Sequence, residues 1–309
     1  MTLYTRERLQ RWLLDLLASM LVVALPFTVH AQPEADIALE AEQPETEQPE
    51  TEQPEVQQPD DSAVIPARGL IMPSGTFALM IPLNLNLSSE AALEPVSLSP
   101  DIRYSITNDI GVGLTHSFYG ATGFLGFDGL IGTGVCVTGA DNGCARVYDN
   151  VGIEGLYVFA SKDDWGLVGS AGLQAGSFDP FTLSFKVGIA GTWHPRRFAG
   201  RLGLTVNPVL FLGITERNGG NDESLGLPIT ADYAITKAIH GVVQTGVGFD
   251  LDGIDDTYFV PLSLAGNYTI TRQWTVGAVF SLPFLLAGDG FNGGGVEART
   301  VTLIVGYRN

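Results

Sequence analysis

The sequence predicts an all-β chain: a transmembrane antiparallel up-and-down β-barrel of about twelve strands, preceded by a disordered acidic Pro/Glu-rich spacer. Three observations predict it. Apolar residues recur at every second position through most of the chain after Ala63. The connections between these runs alternate between short and long. Tryptophan falls beside the short connections, on the apolar side of its run.

The chain opens with Arg6, Arg8 and Arg11, then an apolar stretch from Leu13 to Pro26, then small residues at Val29 and Ala31. That order predicts a signal peptide over 1–31, removed after Ala31. No Cys follows the site, so no lipid anchor is expected. Residues 32–66 repeat the pattern Glu42-Gln43-Pro44-Glu45-Thr46. They offer almost nothing apolar to bury, and repeated Pro keeps them extended. Gln32 to Ser62 carry eleven acidic and no basic residues, a large share of the net charge of −18. Such a chain is unsuited to nucleic acid, whose binding depends on neutralising phosphates.

Residues 67–309 form the predicted barrel. The first run places Phe77, Leu79, Ile81, Leu83, Leu85 and Leu87 on one face and Ala78, Met80, Asn84 and Asn86 on the other. Similar alternation predicts strands near 75–88, 96–107, 110–118, 147–161, 165–176, 181–193, 198–214, 224–236, 239–250, 257–271, 274–286 and 296–308. Successive side chains of a strand point to opposite sheet faces, so each run has one greasy face and one small or polar face. After residue 31 no continuous apolar stretch reaches the ~18 residues of a membrane helix. A closed barrel is the other structure that satisfies its backbone in lipid.

Short turns fall at 108–109, 162–164, 195–197, 236–238 and 271–273, and longer loops at 89–95, 119–146, 215–223, 251–256 and 287–295. The loop 177–180 is brief for its class. Trp165, Trp193 and Trp274 stand beside short turns and, with Tyr307, form the expected interfacial aromatic girdle. Pro82, Pro100, Pro208, Pro228, Pro261 and Pro283 sit inside the runs, although proline cannot donate to a sheet ladder. They predict bulges or interrupted pairing toward the long-loop rim and a regular short-turn half.

Chemistry-bearing residues are few. Cys136 and Cys144 predict one disulfide in an exported chain. His116 and Ser117 could suggest a hydrolase, but neighbours on a strand point oppositely. His194 and His240 lie at the other end. Asp250, Asp252, Asp255 and Asp256 offer oxygen ligands for calcium without the spacing of a known loop, and no metal or other cofactor is expected. Inward positions include Asp101, Arg103, Glu154, Lys186, Arg201 and Asp232 among small residues such as Gly111, Gly113, Gly172, Gly246 and Gly277. These predict a lumen lined by both signs of charge.

Together these features resemble the porin-like outer-membrane β-barrel proteins of diderm bacteria. The last run, ending Val305-Gly306-Tyr307-Arg308-Asn309, resembles their assembly signal, though Asn309 departs from its aromatic end. The resemblance implies an outer-membrane location with both termini periplasmic. It also implies contact with outer-membrane lipids, recognition by the barrel assembly machinery, and a linker free to touch the cell wall. The expected function is a narrow passive channel for small hydrophilic solutes, not an enzyme. The alternatives are a non-conducting structural or surface-interaction barrel presenting loop 119–146, and an outer-membrane lipid hydrolase.

Overall fold

A computed structural model gives the fold. It describes residues 71–309 except 90, 118–122, 126, 133, 145, 163, 199 and 292–294, so the signal peptide over 1–31 and the spacer over 32–66 lie outside the described residues. No helix among the described residues is long and apolar enough to cross a membrane.

Twelve antiparallel strands form one closed wall. They are β1 (Phe77–Asn86), β2 (Val96–Leu98 and Asp101–Ser105), β3 (Ile110–Thr115), β4 (Val151–Ser161), β5 (Trp165–Phe178) and β6 (Phe181–Trp193). The circuit continues with β7 (Leu202–Val206 and Val209–Gly213), β8 (Ser224–Ala234), β9 (Ile239–Asp250), β10 (Phe259–Thr269), β11 (Trp274–Ala287) and β12 (Thr300–Arg308). Each strand pairs with the next, and β12 returns to β1 from Ala78 opposite Arg308 to Asn86 opposite Thr300. Closure leaves the wall without a free edge.

The two divided strands are explained by proline. Leu83 opposite Leu98 and Met80 opposite Asp101 keep one register across the gap in β2. The gap falls at Ser99 and Pro100, beside Pro82, where ladder donors are missing. β7 likewise keeps register with β6 and β8 across Asn207 and Pro208. Pro261 and Pro283 lie in a register shift between β10 and β11. Pro228, by contrast, stands in unbroken register opposite Gly246. Another shift lies between Val158 and Ala160, beside the short turn after β4. The short-turn half is therefore not uniformly regular, and that expectation is corrected.

The wall is turned inside out relative to a soluble protein. Ser97, Ser99, Ser281 and Thr300 are wholly buried on the lumenal face, while Ile153, Phe159, Leu264, Phe280 and Leu303 are exposed on the outer face. An outer surface this apolar is stable against lipid, where it carries no hydration penalty.

β3 has an unusual course. The register of Ile102 opposite Leu114 would put residue 118 opposite Leu98, but Val135 stands there, 17 residues later. The chain leaves the wall after Thr115 and rejoins the same lane, in the same direction, as the short strand Gly134–Cys136. That strand pairs in turn with Tyr148–Asp149, which runs into β4. Between them, Gly123, Phe124, Leu125 and Phe127 lie in the lumen, as an inward excursion.

Candidate functional site: the lumen and its inward segment

Backbone groups at the tip of the excursion bind the opposite wall. Leu125 N donates to Gln244 Oε1 at 2.7 Å. Gln244 Nε2 donates to Gly123 O at 3.2 Å and to Thr230 Oγ1 at 3.0 Å. Leu125 O accepts from Ser263 Oγ at 3.0 Å and Ser281 Oγ at 3.1 Å. These side chains come from β8, β9, β10 and β11, so Gly123 and Leu125 are held on the side of the lumen away from β3. Burial of backbone polar groups costs free energy unless they are paired, and the wall supplies the partners.

Apolar contacts reinforce the seat. Phe124 and Phe127 pack with Val209, Phe211 and Phe259, and Phe284 and Phe291 close the cluster. The Phe127 and Phe259 rings lie 4.9 Å apart, and the Phe124 and Phe259 rings meet edge to face at 5.5 Å. Leu125 packs against Val242, Val279 and Ile304, as does Met80. The loop expected to be presented at the surface thus folds inward over 123–131, which corrects that reading of 119–146. The signal was the trio Phe124, Leu125 and Phe127, which an exposed loop cannot cover.

The departure point is clamped. Asp101 Oδ1 accepts from His116 N at 2.7 Å, and Asp101 Oδ2 accepts from Ser117 Oγ at 3.0 Å. The His116 ring bonds to Pro100 O and, through Nε2 at 2.9 Å, to Tyr148 Oη. Asn150, wholly buried with φ 60°, donates to His116 O at 3.3 Å and accepts from Gln174 Nε2. His116 is therefore a buried structural residue rather than a rim residue. The His116 ring and the Ser117 hydroxyl are committed to different partners.

The inward charges form a row across five strands. In register, Arg103 faces Gly113, Gly113 faces Glu154, Glu154 faces Gly172, and Gly172 faces Lys186. Lys186 Nζ meets Glu154 Oε2 at 2.7 Å, with both side chains 2% exposed. The glycines make this possible: a Cβ on Gly172 would stand 2.1 Å from Ile153 O and 3.1 Å from Glu154 Cβ. A Cβ on Gly246 would strike the Phe124 ring, and one on Gly277 the Asn267 amide. The small inward residues are occupied by neighbouring side chains rather than by open space. Asp101 and Asp232 are buried in the lumen, and Arg103 is half-buried. Arg201 is exposed at the short-turn end, one residue before β7 begins. His240 is buried on the lumenal face, and His194 Cε1 lies 3.0 Å from where a Gly203 Cβ would stand.

At the long-loop end Cys136 and Cys144 form a disulfide, both buried. Cys144 Sγ lies against Gly132, so the bridge braces the stem of the inward segment. Asp252, Asp255 and Asp256 are exposed, and among the described residues no group of three or more His, Cys, Asp or Glu side chains could hold a metal. On the outer face Trp165 stands opposite Trp193, and Trp274 opposite Tyr307 with rings 5.0 Å apart. All three tryptophans are partly exposed at the short-turn end. Two hollows of about 640 and 710 Å³ lie over Gly155 and Ala171 between large outward side chains, on the lipid-facing wall and not in the lumen.

No family model and no curated protein sequence matches the chain. The NanC porin structure aligns with a TM-score of 0.51 at 10% identity, over 74% of this chain and 97% of that one. The chain has the porin-like outer-membrane β-barrel fold. Other porin-like structures align less closely. The KdgM porin gives a TM-score of 0.47 at 9% identity, over 74% of this chain and 98% of that one. Omp33 of Acinetobacter baumannii gives 0.42 at 10% identity, over 76% and 98%.

Proposed function

We propose that this porin-like barrel is a narrow passive channel for small hydrophilic solutes, with its bore set by the inward segment over 123–131. The observation that carries the reading is the polarity of the wall: a lumen faced by Ser, Thr, Asn and paired charges inside an apolar shell. Such an interior can hold a path of water, which an apolar one would exclude. The inward segment supports the narrowness, since it spans from the β3 lane to Gln244, Ser263 and Ser281. The separate commitments of His116 and Ser117 support a non-enzymatic role.

We place the barrel in the bacterial outer membrane with the short turns and both chain ends toward the periplasm. Phe77 N donates to Asn309 Oδ1 at 2.7 Å, so the first and last strands meet at the short-turn end. Barrels of this type turn their short connections to the periplasm. In this placement the Trp165, Trp193, Trp274 and Tyr307 band contacts the inner lipid interface. The last strand, which carries Tyr307, is what the assembly machinery engages, and the acidic spacer over 32–66 is free to touch the cell wall.

Reconstitution of the folded protein in planar bilayers tests the channel. Stepwise conductance is expected from the wild type and a larger step from Gln244→Ala, which removes the amide that binds the inward segment. Silence from both variants would reject the channel. A non-conducting structural barrel is the second reading, favoured by the way Glu154, Asn267 and Phe124 occupy the space over the inward glycines.

A further inference from the structure

The lead-in to β1 reaches inside the barrel at Ile71 and Met72. Gly75, at φ 77°, reverses the chain just before the strand, and Gly75 N donates to Ser105 O at 2.7 Å. Ser74 N donates to Asn108 Oδ1 at 2.9 Å, and Met72 N to Ser105 Oγ at 3.1 Å. Ser105 Oγ is on the lumenal face, so the chain has passed from the rim to the interior by Met72. Ile71 then packs against Leu156, Val168 and Ala190, with Val158 alongside. Its Cγ1 lies 3.9 Å from where a Cβ on Gly111 would stand.

The seat is one of three apolar patches on the inner face, and the other two are covered by the inward segment. Gly111 faces Leu156, and Val168 faces Ala190, all on the inner face within a few residues of the short turns. Elsewhere the inner face is mainly Ser, Thr, Asn and charge. Apolar side chains at a water-facing mouth gain nothing unless something apolar covers them. Here the cover is supplied by the chain itself.

We propose that the lead-in to β1 is an autoinhibitory strap, with Ile71 as its anchor in an apolar seat of Leu156, Val168 and Ala190, narrowing the lumen from the β4 to β6 side of the wall, away from the strands that seat Leu125. The effect on conduction rests on the channel reading, but the position of the strap does not. The lumen is then restricted by two separate parts of the chain. The inward segment is held by hydrogen bonds to Gln244, Ser263 and Ser281 as well as by apolar contacts. The strap is anchored by the apolar contacts of Ile71.

The test uses the full chain folded in liposomes. Ile71→Cys with Gly111→Cys is expected to cross-link on mild oxidation, read by mass spectrometry as a tryptic peptide joining the two sites. Ile71→Cys with Val112→Cys, whose side chain faces lipid, is expected not to. In planar bilayers Ile71→Asp is expected to raise the ratio of open to restricted molecules roughly ten- to a hundredfold, the factor set by losing the burial of one isoleucine. No cross-link at 71 and 111, or equal cross-linking at 112, would overturn the strap. So would a conducting wild type whose open fraction is unchanged by Ile71→Asp. If the 71–111 cross-link forms while neither wild type nor Ile71→Asp conducts, the strap stands and the channel reading fails.

Discussion

Gln244 and Leu125 are 119 residues apart in sequence and joined by a 2.7 Å hydrogen bond across the lumen. The same amide holds Gly123 O and Thr230 Oγ1, so one wall side chain binds both the inward segment and the neighbouring strand. Gln244→Ala leaves Leu125 N and Gly123 O without these partners. The expected loss is about 1–3 kcal/mol of local stability for each group left buried and unpaired. Faster amide hydrogen exchange at Leu125, with unchanged exchange in β12, is the outcome that checks it.

The buried pair Glu154 and Lys186 has a different energetic character. Lys186→Ala strands a carboxylate in the lumen and is expected to cost about 3–5 kcal/mol, while replacing both by apolar residues of similar size costs far less. Urea unfolding from lipid vesicles, followed by tryptophan fluorescence, measures the single and double variants. Equal destabilisation by the two would reject the assignment of Glu154 and Lys186 as a mutually dependent pair.

The outer face answers to lipid depth. Leu264 stands in mid-strand on β10 and is exposed, whereas Ile270 lies at its short-turn end. Leu264→Arg is expected to cost about 2–4 kcal/mol and Ile270→Arg about 0–1 kcal/mol. The same unfolding assay gives both values, and a reversed order would contradict the membrane placement.

Glu223 reports on the loop before β8. The hydrogen-bonding Arg217 guanidinium, 2.5 Å away, holds the Glu223 carboxyl below its usual 4.5. A depressed carboxyl contributes stability that is present above its unfolded value and lost as pH falls through its folded value. The group is fully exposed, so the contribution is small. NMR titration of Glu223 is expected to give a midpoint below 4.5 that returns upward in Arg217→Ala.

The wall was legible in the sequence because pleat alternation is a local property. The expected runs 181–193 and 239–250 coincide with Phe181–Trp193 and Ile239–Asp250. Asp101, Glu154, Lys186 and Asp232 share the inward parity and are buried. Arg201 shares their parity but not their position, since the turn over Arg196–Phe198 leaves it just outside the first paired residue of β7. The inward segment was not legible, because its seat depends on Gln244, Ser263 and Ser281, up to 156 residues away. Nor was the meaning of the inward glycines. Reading Gly172 as room for the Glu154–Lys186 pair rather than for a solute requires knowing the register, which alternation does not specify.

The interrupted course of β3 has an architectural consequence. Because the lane resumes beside Leu98 with its direction kept, the length of chain between Thr115 and Gly134 is not counted by the surrounding ladder. Insertions or deletions there alter the stopper without touching the shell. The gauge of the tube is written in one cassette of the gene and its circumference in the remainder, so the two can be retuned independently.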